Sequence, residues 1–115
     1  MQLRMTDQAR HQVTIALNNS KAAQDLVNQN PSSVKIGNYS NDEKTFYPDK
    51  DLDLANTPKA NAVVGTLAYF APWGDVCLFY RDFGSDPGLY ELGTTTSGKN
   101  DISKLSGTTK IEFIE

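Results

Sequence analysis

Residues 64–92, VGTLAYFAPWGDVCLFYRDFGSDPGLYEL, constrain the fold more than any other part of the chain. They hold the only tryptophan, Trp73, and the only cysteine, Cys77. Two uncharged runs, 65–70 and 76–80, flank Ala71-Pro72-Trp73-Gly74. Short runs rich in Val, Leu, Phe and Tyr suit a pleated, buried surface. Proline presets φ early in a turn, and glycine suits the turn's last position. The two runs are therefore predicted to form an antiparallel hairpin, with Asp75 at its mouth.

The second run is apolar at successive positions: Val76, Cys77, Leu78, Phe79 and Tyr80. One face of such a strand meets the main core. The other is expected to meet a second layer or to floor a groove. Gly84-Ser85-Asp86-Pro87-Gly88 carries a dense turn signal, after which Leu89–Leu92 resumes alternation.

A chain of 115 residues is read as one domain spanning 1–115. Its net charge of −3 and scattered Lys and Arg argue against a nucleic-acid partner. One cysteine excludes an intrachain disulfide and a cysteine-based metal cage. Cys77, inside an apolar run, is expected to be a buried structural thiol. The single histidine, His11, leaves no zinc cluster and no catalytic triad. It is read as a half-exposed polar residue at a strand start. Asp49–Asp53 resembles a calcium loop but fails its test, since Leu54 stands where glycine is needed and Ala60 where a bidentate Glu is needed, and it is read as a solvated acidic loop. No phosphate-cradling glycine motif is present. No metal or cofactor is expected. With no leader-like or membrane-length apolar run, the reading is cytoplasmic, with no membrane partner.

Before the central stretch, Gln2–Met5 and His11–Leu17 alternate and form a hairpin, with Val13, Ile15 and Leu17 on one face. Asn18-Asn19-Ser20 offers helix N-cap chemistry, and Ala22, Ala23, Leu26 and Val27 make one apolar stripe. Asn30-Pro31 stops that helix. Strands are expected at 33–39 and 43–47. ANTPKANA, residues 55–62, reads as polar loop. Thr94–Lys99 reads as flexible. Asn100 or Asp101 caps one helical turn stopped by Gly107, and 110–115 closes as a strand. Seven or eight short strands with one principal α-helix and a short C-terminal helical turn indicate a mainly β, closed or nearly closed barrel.

The order Gly65, Leu67, Tyr69, Pro72, Gly74, Asp75, Phe79, Tyr80, set between a helix and a glycine-punctuated closing strand, resembles the bacterial cyclophilin-like domain family. The resemblance covers essentially the whole chain and implies a cyclophilin-type β-barrel. True cyclophilins are peptidyl-prolyl isomerases whose site pairs an arginine with an apolar proline pocket. Their Phe-His-Arg segment is matched here by Thr45-Phe46-Tyr47-Pro48, which keeps Phe46 and lacks the His and Arg. Their Gln-Phe-Phe strand resembles Leu78-Phe79-Tyr80, which keeps an aromatic floor at Phe79. The resemblance thus implies the fold without the donor that eases amide rotation.

The primary expectation is a non-catalytic binding module. Tyr69, Phe70, Trp73, Phe79 and Tyr80 would build a groove for an extended peptide or small apolar ligand, with Phe46 beside it. An isomerase using Arg81 as a divergent donor is the alternative. Self-association as a homo-oligomer, through a strand edge or the Trp73 tip, is the third.

Overall fold

A computed structural model describes residues 1–115. The chain runs through strands β1 (Gln2–Asp7) and β2 (Gln12–Leu17), helix α1 (Lys21–Gln29), then β3 (Ser33–Tyr39) and β4 (Glu43–Phe46). It continues with β5 (Lys59–Ala62), β6 (Thr66–Phe70), β7 (Asp75–Phe79), β8 (Gly84–Ser97), a 3₁₀ turn (Lys99–Lys104) and β9 (Gly107–Ile114). The strands follow the order β2-β1-β9-β3-β4-β7-β6-β8-β5, and β8 also pairs with β2. That last pairing closes eight strands into a ring and leaves β5 outside it. Every pairing is antiparallel. Closure removes the free edges that an open sheet would expose.

The helix forms where its caps dictate. The Ser20 side chain accepts from the Ala23 N–H at 3.1 Å, and Asn30 adopts a left-handed conformation (φ 47°) at the other end. Asparagine tolerates that conformation at a helix end better than most residues. Ala22, Ala23 and Leu26 are buried, joining Leu3, Met5, Val13, Ile15, Leu67, Leu78 and Ile111 in the main core. Burying one leucine side chain contributes about 1.5–3 kcal/mol.

The predicted central hairpin is present, with Leu67 opposite Leu78 and Tyr69 opposite Val76. Its two faces serve different layers. Leu67, Tyr69, Val76 and Leu78 enter the main core. Ala68, Cys77 and Phe79 turn the other way and meet Ala60, Ala62 and Leu89 in a second, smaller cluster.

Four local expectations need correction. ANTPKANA is not all loop, because Ala60 and Ala62 alternate inward from β5 against β8. The 84–88 segment and the 94–97 segment are both strand, the two ends of one 14-residue β8. Pro87 is accommodated because β5–β8 pairing shifts register between Lys59 and Asn61, opposite that region. A proline has no N–H to give a ladder, and a bulge asks for none. The 3₁₀ turn is preceded by Gly98 (φ 87°) without a side-chain cap, and it ends at Lys104, with Leu105 at its C-cap. Gly107 does not stop it; that residue opens β9. The acidic loop is not fully solvated: Leu52 is buried, and the Tyr69 hydroxyl donates to Asp51 Oδ1 at 3.2 Å. No helix is long and apolar enough to cross a membrane.

Candidate functional site

The outward face of the central hairpin carries a cleft of about 230 Å³. Strand register builds it. Tyr39 of β3 lies opposite Glu43 of β4, and Glu43 opposite Phe79 of β7. A second row places Asp75 opposite Phe70, and Phe70 opposite Leu89. Side chains directly opposed across antiparallel strands share a face and touch. Tyr39, Glu43, Phe70, Phe79 and Leu89 line the cleft, joined by Trp73, Cys77, Phe83 and Asp86.

Aromatic rings form the rim. Trp73 meets Phe70 edge to face at 5.4 Å between centroids, and Phe79 meets Phe83 at 5.2 Å. Tyr39, Trp73 and Phe83 are each about half exposed (50%, 50% and 47%). Large aromatic rings left in water around a concavity mark a contact surface more often than isolated surface residues do.

Buried polar side chains lie at its floor. Glu43, Asp75 and Cys77 are all buried, and Oδ1 of Asp75 has no hydrogen-bond partner. Asp75 stands at the hairpin mouth as expected, opposite Phe70, and its side chain is buried beside Cys77. Burial pushes the Glu43 carboxyl above its ordinary value. A hydrogen bond with Cys77 opposes the rise, and Asp75 and Asp42 add to it. Burial likewise raises Asp75, with its own backbone N–H and the thiol offsetting part. The Cys77 thiol is driven far above its ordinary range by burial first and by the two carboxylates next. A thiol so placed stays protonated and is not a nucleophile. One donor atom from each of the three lies within 4.8 Å of the others, close enough for a single metal ion. Such an ion would first have to displace the thiol proton of Cys77.

The site residues expected from the sequence divide into two sets. Phe70, Trp73 and Phe79 come together in the cleft. Phe46 and Tyr69 point through the sheet into the main core instead, because alternation puts them on the inner face with Val76 and Leu78. Tyr80 packs at the margin of that core, and its hydroxyl donates to Asn38 Oδ1 at 2.9 Å. Arg81 is exposed in the connection between β7 and β8, outside the cleft lining. Sequence reasoning did not identify Tyr39, Glu43, Phe83, Asp86 and Leu89 as lining. The signal for Glu43 was available in its register: it begins a strand that ends in the inward-facing Phe46.

A second polar cluster ties the barrel's first turn. Asp7 accepts from the His11 backbone N–H and pairs with His11 Nδ1, both at 2.8 Å, and accepts from Ser106 N–H at 3.4 Å. His11 is thus half-exposed and structural, as expected.

An eight-stranded closed barrel with a helix and an aromatic cleft on the outside of one hairpin defines a small barrel-type domain. The family model described as the cyclophilin-like family matches residues 6–114, and the chain belongs to that family. No curated protein matches the sequence. Among solved structures, the solution structure of a hypothetical protein from Archaeoglobus fulgidus is similar, with a TM-score of 0.68 and 16% identity. The match covers 97% of this chain and 93% of that one. At that identity the likeness concerns the fold.

Proposed function

We propose that this cyclophilin-like domain is a binding module whose ligand enters the cleft between Tyr39, Trp73 and Phe83. The observation that carries this reading is the concavity beside Phe70 and Phe79, rimmed by half-exposed rings on the face away from the main core. Fully enclosed rings with no space beside them would have argued for plain core. At about 230 Å³ the cleft is smaller than the pockets of about 300–1,000 Å³ that enclose drug-sized ligands. Its occupant is therefore a small apolar ligand, or one side chain of an extended peptide.

The lining offers no Arg, Lys or His aimed at a prolyl nitrogen. That favours binding over isomerisation, since lowering the amide-rotation barrier of about 18–20 kcal/mol asks for such a donor. Self-association through a strand edge is disfavoured by β5, which is short and begins with Lys59. Short edges carrying lysine resist edge-to-edge pairing.

A protein-observed NMR titration with small apolar compounds and acetylated amino-acid amides tests the proposal. Binders should shift backbone signals of β4, β7 and the first half of β8, and Trp73→Ala should weaken them. Shifts confined to other strands would remove the cleft from consideration.

A further inference from the structure

The sign of the charge inside the cleft is one-sided. Two carboxyl groups, Glu43 and Asp86, are among its nine lining residues, and no basic side chain is. Behind Glu43 stands Asp75, 3% exposed, with an oxygen that no donor reaches. A buried acceptor left without a donor is unfavourable, and native proteins keep few of them. Five aromatic residues line the cleft, three of them half exposed at its rim. The face of such a ring attracts a cation through its quadrupole, and the attraction strengthens where water is excluded.

These two features call for the same occupant. We propose that the cleft receives an organic cation, an ammonium group with apolar substituents, its charge facing Glu43 and its substituents packed among Tyr39, Phe70, Trp73 and Phe83. This rests on the cleft being a ligand site and adds the ligand's chemical class. A neutral apolar ligand would fill the rim but leave the carboxyl groups buried beneath it. A divalent metal on Glu43, Asp75 and Cys77 would leave the rings unused. An ammonium uses both the Glu43 carboxyl and the rings. Burial raises the Glu43 carboxyl, and a cation beside it favours the ionised form.

The emission of Trp73, the only tryptophan, reports directly on the rim. The test is a titration with choline and with 3,3-dimethylbutan-1-ol, its neutral isostere, followed by that emission. Choline is expected to bind more tightly by about tenfold, the ratio that a cation–π and carboxylate contact supports. Glu43→Gln should bring the two affinities together. Should that variant fail to fold, Asp86→Asn, at a half-exposed position, should narrow the preference several-fold. Equal affinities in the parent protein would leave the cleft as a ligand site and overturn the charge assignment. No response to either compound would overturn both the assignment and the binding-module reading. Quenching by zinc alone, abolished by Cys77→Ala, would give the floor to a metal and overturn the organic cation.

Discussion

Trp73 and Tyr39 meet edge to face, their ring centroids 5.0 Å apart, although they belong to different hairpins. One comes from the tip of the β6–β7 turn and the other from the end of β3. Edge-to-face pairs contribute about 0.5–1.5 kcal/mol beyond the area they bury. Here both rings remain half in water, so the pair holds a rim in place more than it holds the barrel together. Tyr39→Ala is expected to change the urea midpoint little while shifting the Trp73 emission to the red. An unchanged emission spectrum would mean that the two rings do not meet in solution.

Acid and alkali should act on opposite sets of groups. Asp7 is pushed upward by burial, but hydrogen bonds and the charge of His11, with Ser106 N–H, outweigh that and hold it below its ordinary 3.8. A depressed folded value means its stabilisation is present above 3.8 and is lost as pH falls through the folded value. Asp7→Asn should therefore destabilise the protein at pH 7 by about 1.5–3 kcal/mol, the range for hydrogen bonds to a charged group. The difference from the parent should shrink toward pH 2. Denaturant melts across that range check it.

Glu43 works the other way. Its folded value is raised above 4.5, so the stability it contributes is complete below 4.5 and fades as pH rises through the folded value. The groups that face it are Asp75, Cys77 and Asp42, and none supplies a positive charge. Glu43→Gln is expected to leave stability unchanged at pH 4 and to raise it as pH climbs through the parent carboxyl's folded value. A variant that lost stability at pH 8 would show that the ionised carboxylate has a partner in the free protein.

Cys77 should be silent toward thiol reagents in the native state. It is 1% exposed and its thiol is held far above its ordinary range. Ellman's reagent at pH 8 should react only at the rate of unfolding, and in denaturant the single thiol should titrate at once. Prompt native reactivity would indicate a cleft that opens to its floor.

Gly93 marks the point where β8 leaves one neighbour for another, pairing with both Leu17 and Leu67. A Cβ there would run into the Ala16 carbonyl and lie 3.1 Å from Ile15 Cγ2. Backbone cannot yield as a side-chain tip can. Gly93→Ala should cost about 1–3 kcal/mol, as overpacking commonly does, while Gly84→Ala should cost less, since nothing lies within 4 Å of its Cβ position. Its φ of 97° still strains any side chain. Thermal melts of the pair compare the two effects.

A protease-coupled assay on a proline peptide is expected to run at the rate of buffer alone. Arg81 is exposed and lies outside the cleft lining. Acceleration that Arg81→Ala removes would restore the isomerase reading.

The central hairpin was legible because Pro72 and Gly74 sit between two runs of strand-forming residues. The helix was legible because Ser20 and Asn30-Pro31 bracket its stripe. β5 was not, since Lys59-Ala60-Asn61-Ala62 has no β-branched or aromatic residue, and only its place against β8 makes it a strand. The beginning of β8 was hidden by Pro87 and Gly88, whose usual meaning a register shift overrides. The candidate site was half legible for a related reason. Phe70, Trp73 and Phe79 lie on one hairpin and alternate visibly. Tyr39, Glu43 and Phe83 reach the same cleft from other parts of the chain, and only the strand order joins them. Tyr69 was misplaced because a strand buried on both faces does not announce which face looks outward.

Strands β6 and β7 are each read from two sides. The buried apolar side chains of the inner and outer faces alternate along the same ten positions of backbone and fall into two separate clusters. A change at Phe70, Cys77 or Phe79 falls on the smaller outer cluster and leaves the main core's own contacts in place. One ribbon thus carries two packings, and a substitution on either face reaches the other through the backbone between them.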